Sequence, residues 1–295
     1  PMGAQAQVTK KASKFQDPYY NVCRGTSPEC LAQNQGWAPM PESTRNRVLI
    51  YSRTAGPRHA NLGPVMEPGL NPPLTDSHVM QRTLVEWLTA EGFRVDWTET
   101  PANFSPNNYA VVILASGNRD NLFDASQTSP TTPMTNLRNY MRRGGGVVAI
   151  HNAFGANYNW PYYEGLLGNA NFYNHGPNRT GNVQIIGSDP STQGVSPSFT
   201  FQDEWYNLTP FPTNVKFLAK VDTASLSPIT SSPHPGHADF HPVAWCQYYD
   251  GGRVWATTLG HNANSFSGSG VGAADFKKLI VQGIKSAAGA TPFCT

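Results

Sequence analysis

The chain has 295 residues, enough for one large α/β domain with appendages or two small domains. Lys and Arg number 21 against 19 Asp and Glu, a formal charge of +2; a dedicated nucleic-acid partner, which needs a dense basic field, is thereby excluded. No apolar run approaches the roughly 18 residues of a membrane helix, and residues 1–14 lack the apolar centre of a secretory leader.

Residues 1–45 are polar, and Pro18, Pro28, Pro39 and Pro41 break any periodicity, so they read as an irregular extension wrapping a domain. The first strand falls at 47–52 (RVLIYS), a short apolar run of the kind buried on both faces. A Pro- and Gly-rich loop follows to about residue 73. A helix is predicted over 77–91, with Asp76 as N-cap, a stripe of Met80, Leu84, Trp87 and Leu88, and Gly92 as its stop. Strands at 93–98 and 109–115 come next. A second helix starts at Thr132-Pro133, proline being tolerated in the first turn, and carries Met134, Leu137 and Met141. The basic pair Arg142-Arg143 suits the C-terminus of this helix. Residues 146–151 (GVVAIH) form another buried strand. Weaker strands are expected at 182–186, 215–221, 243–248 and 253–258, then a closing helix over 274–288 with Phe276, Leu279, Ile280 and Ile284 inward. Strands alternating with helices imply a mainly parallel sheet covered on both faces, with ligands bound beyond the strand C-termini.

Four cysteines are present. Cys23 and Cys30 lie in the polar extension, where a disulfide staple would help; Cys246 sits in an apolar run and reads as a buried thiol; four cysteines allow three pairings. This cysteine usage favours a secreted or periplasmic protein. Sequons at Asn103, Asn178 and Asn207 add little in a chain so rich in Asn, Ser and Thr.

Four histidines stand at or near the ends of predicted strands: His59, His151, His241 and His261. Neutral imidazoles there can bind a metal, move protons near pH 7 or hydrogen-bond hydroxyls. Their spacing matches no compact zinc motif. Of the adjacent carboxylates Asp203 and Glu204, at most one faces a crevice, as general acid or base or as orienter of a histidine. Tyr158 and Trp160, in the aromatic and amide-rich run after His151, suit a sugar platform; Asn152, Trp205, Arg58 and His175 are further contact candidates.

Five segments in order resemble the ThuA-like (trehalose utilisation) family: VLIYSRTAGPRH, RRGGGVVAIHNAF, DEWYNL, HPVAWCQYYDGGRVWATTLGHN and FKKLIVQGI, spanning roughly residues 47–288. Pro57 and Asn262 depart from the family pattern, and the loop at 63–75 looks added. The resemblance implies a flavodoxin-like, glutamine amidotransferase-like α/β domain over 46–289, with a short tail at 290–295. In true amidotransferases a cysteine occupies the turn after the strand that here ends at His151; His151 or Asn152 stands there instead, so glutaminase chemistry is not expected.

The leading expectation is a carbohydrate-active hydrolase with His151, His261 and Glu204 or Asp203 as acid/base groups, the family's link to sugar catabolism supplying the substrate class. His59, Arg58, Asn152, Tyr158, Trp160, Trp205, His241 and His175 would then contact a small-molecule or oligosaccharide ligand. Two alternatives stay open: a carbohydrate-binding protein without catalysis, and a zinc-dependent ester or amide hydrolase holding a divalent metal through the histidines.

Overall fold

The computed structural model describes residues 16–17, 21–124, 132–226, 237 and 239–295. In chain order the strands are β1 (Gln16–Asp17), β2 (Val22–Gly25), β3 (Arg47–Tyr51), β4 (Arg94–Thr98), β5 (Val111–Ala115), β6 (Gly146–Ile150), β7 (Phe172–His175), β8 (Arg179–Ile185), β9 (Ser198–Asp203), β10 (Tyr206–Leu208), β11 (Lys216–Asp222), β12 (His241–Tyr249) and β13 (Gly252–Thr257). The α-helices are α1 (Ala32–Gln35), α2 (Val79–Ala90), α3 (Thr132–Arg142), α4 (Pro161–Leu166), α5 (Ala263–Ser267) and α6 (Ala273–Ala287).

One large sheet runs in the order β4-β3-β5-β6-β13-β12-β11-β8-β9. Its first five strands are parallel, and β12, β11, β8 and β9 extend it with antiparallel pairing. The parallel half explains the uninterrupted apolar runs: β5 and β6 are buried at every position because both faces are covered. Val48 and Ile50 of β3 face a core with α2 and α6, whereas Leu49 and Tyr51 face one with α3 and α4. Phe276, Leu279, Ile280 and Ile284 are the buried stripe of α6; such side chains contribute about 1.5–3 kcal/mol each when fully buried. The expected N-cap of α2 is replaced: His78 takes that position without capping the helix, its Nδ1 accepting from the Thr75 N–H instead, and Asp76 pairs with Arg82.

Residues 21–45 of the extension carry regular elements despite the prolines. Backbone pairing of Arg24 and Gly25 with Tyr249 and Tyr248 attaches β2 to the end of β12. Its loop is closed by a Cys23–Cys30 disulfide. Cys246 is not a thiol, as its apolar run suggested; it is bonded to Cys294, which ties a central strand to the C-terminal tail 48 residues on. Two disulfides are compatible with an extracellular or periplasmic protein. Among the described residues, no helix is long and apolar enough to cross a membrane. Chain-entropy arguments assign the 48-residue loop about 4 kcal/mol as a ceiling. Cys294→Ser is therefore expected to lower unfolding stability by about 2–4 kcal/mol in non-reducing denaturant titrations; an unchanged midpoint would show that the tail contributes nothing.

Candidate functional site

Loops beyond the C-terminal ends of β3, β6 and β13 deliver His59, His151 and His261, and the link between β9 and β10 delivers Glu204. One ligand-type atom from each of the four lies within 4.8 Å of all the others. His59 Nε2 and His151 Nε2 are 3.1 Å apart. Glu204 Oε2 lies 3.0 Å from His261 Nδ1, 3.7 Å from His151 Nε2 and 3.9 Å from His59 Nε2.

His151 sits at a sharp turn with φ of 51°, immediately after β6. A non-glycine residue held there stores of order 1–3 kcal/mol of strain, a frequent mark of a functional position. Its Nδ1–H donates to the Thr258 carbonyl at 2.7 Å, which fixes the tautomer and leaves the Nε2 lone pair facing the cluster. Complete burial lowers its pKa to about 4, so the ring is neutral at physiological pH. That one lone pair faces both the Tyr206 hydroxyl, at 2.9 Å, and His59 Nε2.

Burial alone would raise the Glu204 carboxyl, yet the surrounding imidazoles hold it far below the usual carboxylate range. For His261 the same carboxylate outweighs burial and raises the imidazole. His261 Nδ1 is buried and pairs with the carboxylate at 3.0 Å, off the line of a well-formed hydrogen bond.

Backbone scaffolding sets these positions. Asp203 is wholly buried; its carboxylate accepts from the backbone N–H groups of Glu204 at 2.8 Å, Gly260 at 2.7 Å and His261 at 3.2 Å. Burial pushes this carboxyl up to about 7, while the three N–H donors favour its charged form. With both oxygens committed to backbone, Asp203 is a positioning residue and not the acid/base group expected. Gly260 has φ of +124°, and a Cβ there would crowd Ile150, which precedes His151. Asn61 donates to the Gly260 and His261 carbonyls, tying the β3 loop to the β13 loop.

A cavity of about 310 Å³ adjoins the cluster and includes His59, Asn152, Tyr158, His175, Glu204 and Tyr206 in its walls. Asn152 faces His59 Nδ1 at 3.3 Å. The His175 Nδ1–H donates to the Gly176 carbonyl, so Nε2, 3.5 Å from Glu204 Oε2, offers a lone pair on the pocket wall. Four expected contacts fall elsewhere. Arg58 braces its own loop through the Gly63 and Leu62 carbonyls and an ion pair with buried Glu99 at 2.7 Å. Trp160 stacks on Tyr162 and lines a different depression. Trp205 is a core residue whose Nε1–H donates to the Arg179 carbonyl, and buried His241 supports the Tyr206 carbonyl from below. Sequence reasoning missed Tyr206, although it follows the DEW run, and Asn118 and Arg119, which no motif flags.

The α/β sheet is covered on both faces, a histidine stands at the turn after β6, and all four cysteines are in disulfides. The chain belongs to the ThuA family, described as trehalose utilisation, which matches residues 47–287. It is thus related to carbohydrate metabolism. Among solved structures it is similar to a ThuA-like protein from Bacteroides uniformis, at 19% identity over 85% of this chain and 94% of that one, TM-score 0.59. A ThuA-like protein from Parabacteroides merdae gives 18% identity over 83% and 90%, TM-score 0.58. A cytoplasmic protein from Salmonella typhimurium gives 12% identity over 81% and 99%, TM-score 0.51. Comparison with curated proteins gives no match.

Proposed function

We propose that this protein is a metal-dependent hydrolase acting on a carbohydrate derivative, in an oxidising compartment outside the cytoplasm. One observation carries the reading: three imidazole nitrogens and a carboxylate oxygen converge within 4.8 Å. A tetrahedral ion with metal–nitrogen bonds near 2.0–2.1 Å needs ligand atoms about 3.3 Å apart; four of the six separations, 3.0–3.9 Å, lie near that value, and all lie within 4.8 Å. His151 Nε2, approached by both the Tyr206 hydroxyl and His59 Nε2, is a lone pair that an ion would engage, and His261 Nδ1, 3.0 Å from Glu204 Oε2, would do so on losing its proton. His59, His151, His261 and Glu204 are the ligands in this reading. Four protein ligands fill a tetrahedral shell, so an ion held by all four would take a water or substrate oxygen only as a fifth ligand, which it would then activate or polarise. His175 accepts the proton through Nε2, and the family's link to trehalose utilisation supports the substrate class.

Metal analysis of untagged protein is expected to give about one divalent transition-metal ion per chain, the capacity of a single such site. Chelation should abolish turnover on a panel of glycosides and sugar esters, and metal should restore it. Metal-free protein that still turns over would instead favour the His261–Glu204 pair, 3.0 Å apart, as a metal-independent acid/base couple.

A further inference from the structure

We propose that the pocket beside the histidine cluster is selective for a carboxylate-bearing sugar, a uronic or aldonic acid, and that Arg119 reads the carboxylate. This rests on the reading of the pocket as a carbohydrate site. It is independent of whether a metal occupies the cluster.

Arg119 lines the same cavity as Glu204 and His59. Its backbone has φ of 55°, strained for a residue with a side chain. Three backbone hydrogen bonds hold it there: its N–H donates to the Gly155 carbonyl at 2.8 Å, and its own carbonyl accepts from Asn121 at 2.8 Å and Asn157 at 2.9 Å. The aliphatic stem lies over Gly56 so closely that a Cβ at that position would come within 2.3 Å of the Arg119 Cγ. Asn118 fixes the loop carrying that glycine, accepting from Gly56 N–H at 3.2 Å and donating to the Pro57 carbonyl at 2.6 Å. The guanidinium then rests over the Tyr158 ring, 5.7 Å from its centroid. The backbone and stem of this exposed side chain are thus held in place, which reduces part of the ordering cost of binding.

What the guanidinium lacks is a carboxylate. Among the described residues no ion pair involves Arg119, and neighbouring Asp120 faces a different depression. A planar fork of donors on an aromatic face, without an internal acid, matches an incoming carboxylate bidentately. It is the one lysine or arginine among the residues lining this cavity, which also contains the anionic Glu204. A single cation suits one negative charge, a sugar acid, better than a phosphate dianion. The cavity of about 310 Å³ is at the small end of ligand pockets and fits one sugar unit.

The test compares equilibrium binding of glucuronate, glucose and glucose 6-phosphate to the wild-type protein, Arg119→Gln, Arg119→Lys and chelator-treated wild-type protein. The expected result is glucuronate bound at least about tenfold more tightly than either competitor, the increment of one charge-assisted contact. Arg119→Gln should abolish the preference at an unchanged melting temperature, Arg119→Lys should retain part of it, and chelated protein should keep it. The proposal is overturned by any of four results: no saturable glucuronate binding, equal affinity for glucose, a preference for the phosphate, or a preference that survives Arg119→Gln. Selectivity that disappears on chelation but persists in Arg119→Gln would assign the carboxylate to the metal and overturn the role of Arg119 while sustaining the metal reading.

Discussion

His261→Ala is expected to eliminate stoichiometric metal binding and, with it, turnover, while leaving the fold intact. His261 is the ligand candidate best suited to removal, because its side chain is 28% exposed whereas His151 is wholly enclosed. Loss of a partner that merely orients a ligand typically costs 10–100-fold in metal affinity, and loss of a ligand should exceed about 100-fold. A second readout is independent of activity. An ion present at 100 times its dissociation constant stabilises the folded state by about 2.7 kcal/mol, so added metal should raise the melting temperature of the wild-type protein and leave that of His261→Ala unmoved. Metal content unchanged in the variant would remove His261 from the ligand set and undercut the four-ligand reading.

The parallel half of the sheet was legible because burial on both faces demands continuous apolar runs, which β3, β5 and β6 display. The antiparallel extension was harder to read. In β9, SFTFQD alternates buried and exposed positions, so its signal is period two within a polar sequence. β7 and β10 are shorter still and, among the described residues, pair only with each other. Histidines at strand ends could be nominated from the rule that ligands bind beyond strand C-termini, and His59, His151 and His261 do converge. Residue type says nothing about direction, however. Arg58 turns back to its own loop, Trp205 enters the core and Asp203 folds under the site, whereas Glu204 faces it. Arg119 was invisible because its placement depends on a left-handed backbone and a glycine 63 positions away, neither of which leaves a local pattern.

Asp203→Ala is expected to cost about 3–5 kcal/mol of unfolding stability, the range for breaking a buried charged network by removing one partner. The substitution leaves the N–H groups of Glu204, Gly260 and His261 without their common acceptor, in a position from which water is excluded. Asp203→Asn separates charge from geometry. Asn keeps one oxygen for the Glu204 and His261 N–H groups but turns an NH₂ toward the Gly260 N–H, so two donors face each other. It should therefore be destabilised as well, and not behave as a silent isostere. Since the same three N–H groups belong to or adjoin two of the proposed ligands, any variant that folds should bind metal about 10–100-fold more weakly, as expected for a group acting through the ligands. Urea titration reads the first effect and metal competition the second. If Asp203→Ala lost less than about 1 kcal/mol, below the cost of one buried unsatisfied donor, the carboxylate would not be what joins the β9 and β13 loops. The convergence of Glu204 with His261 would then have to come from the loop contacts of Asn61 and from the packing around Trp205 instead.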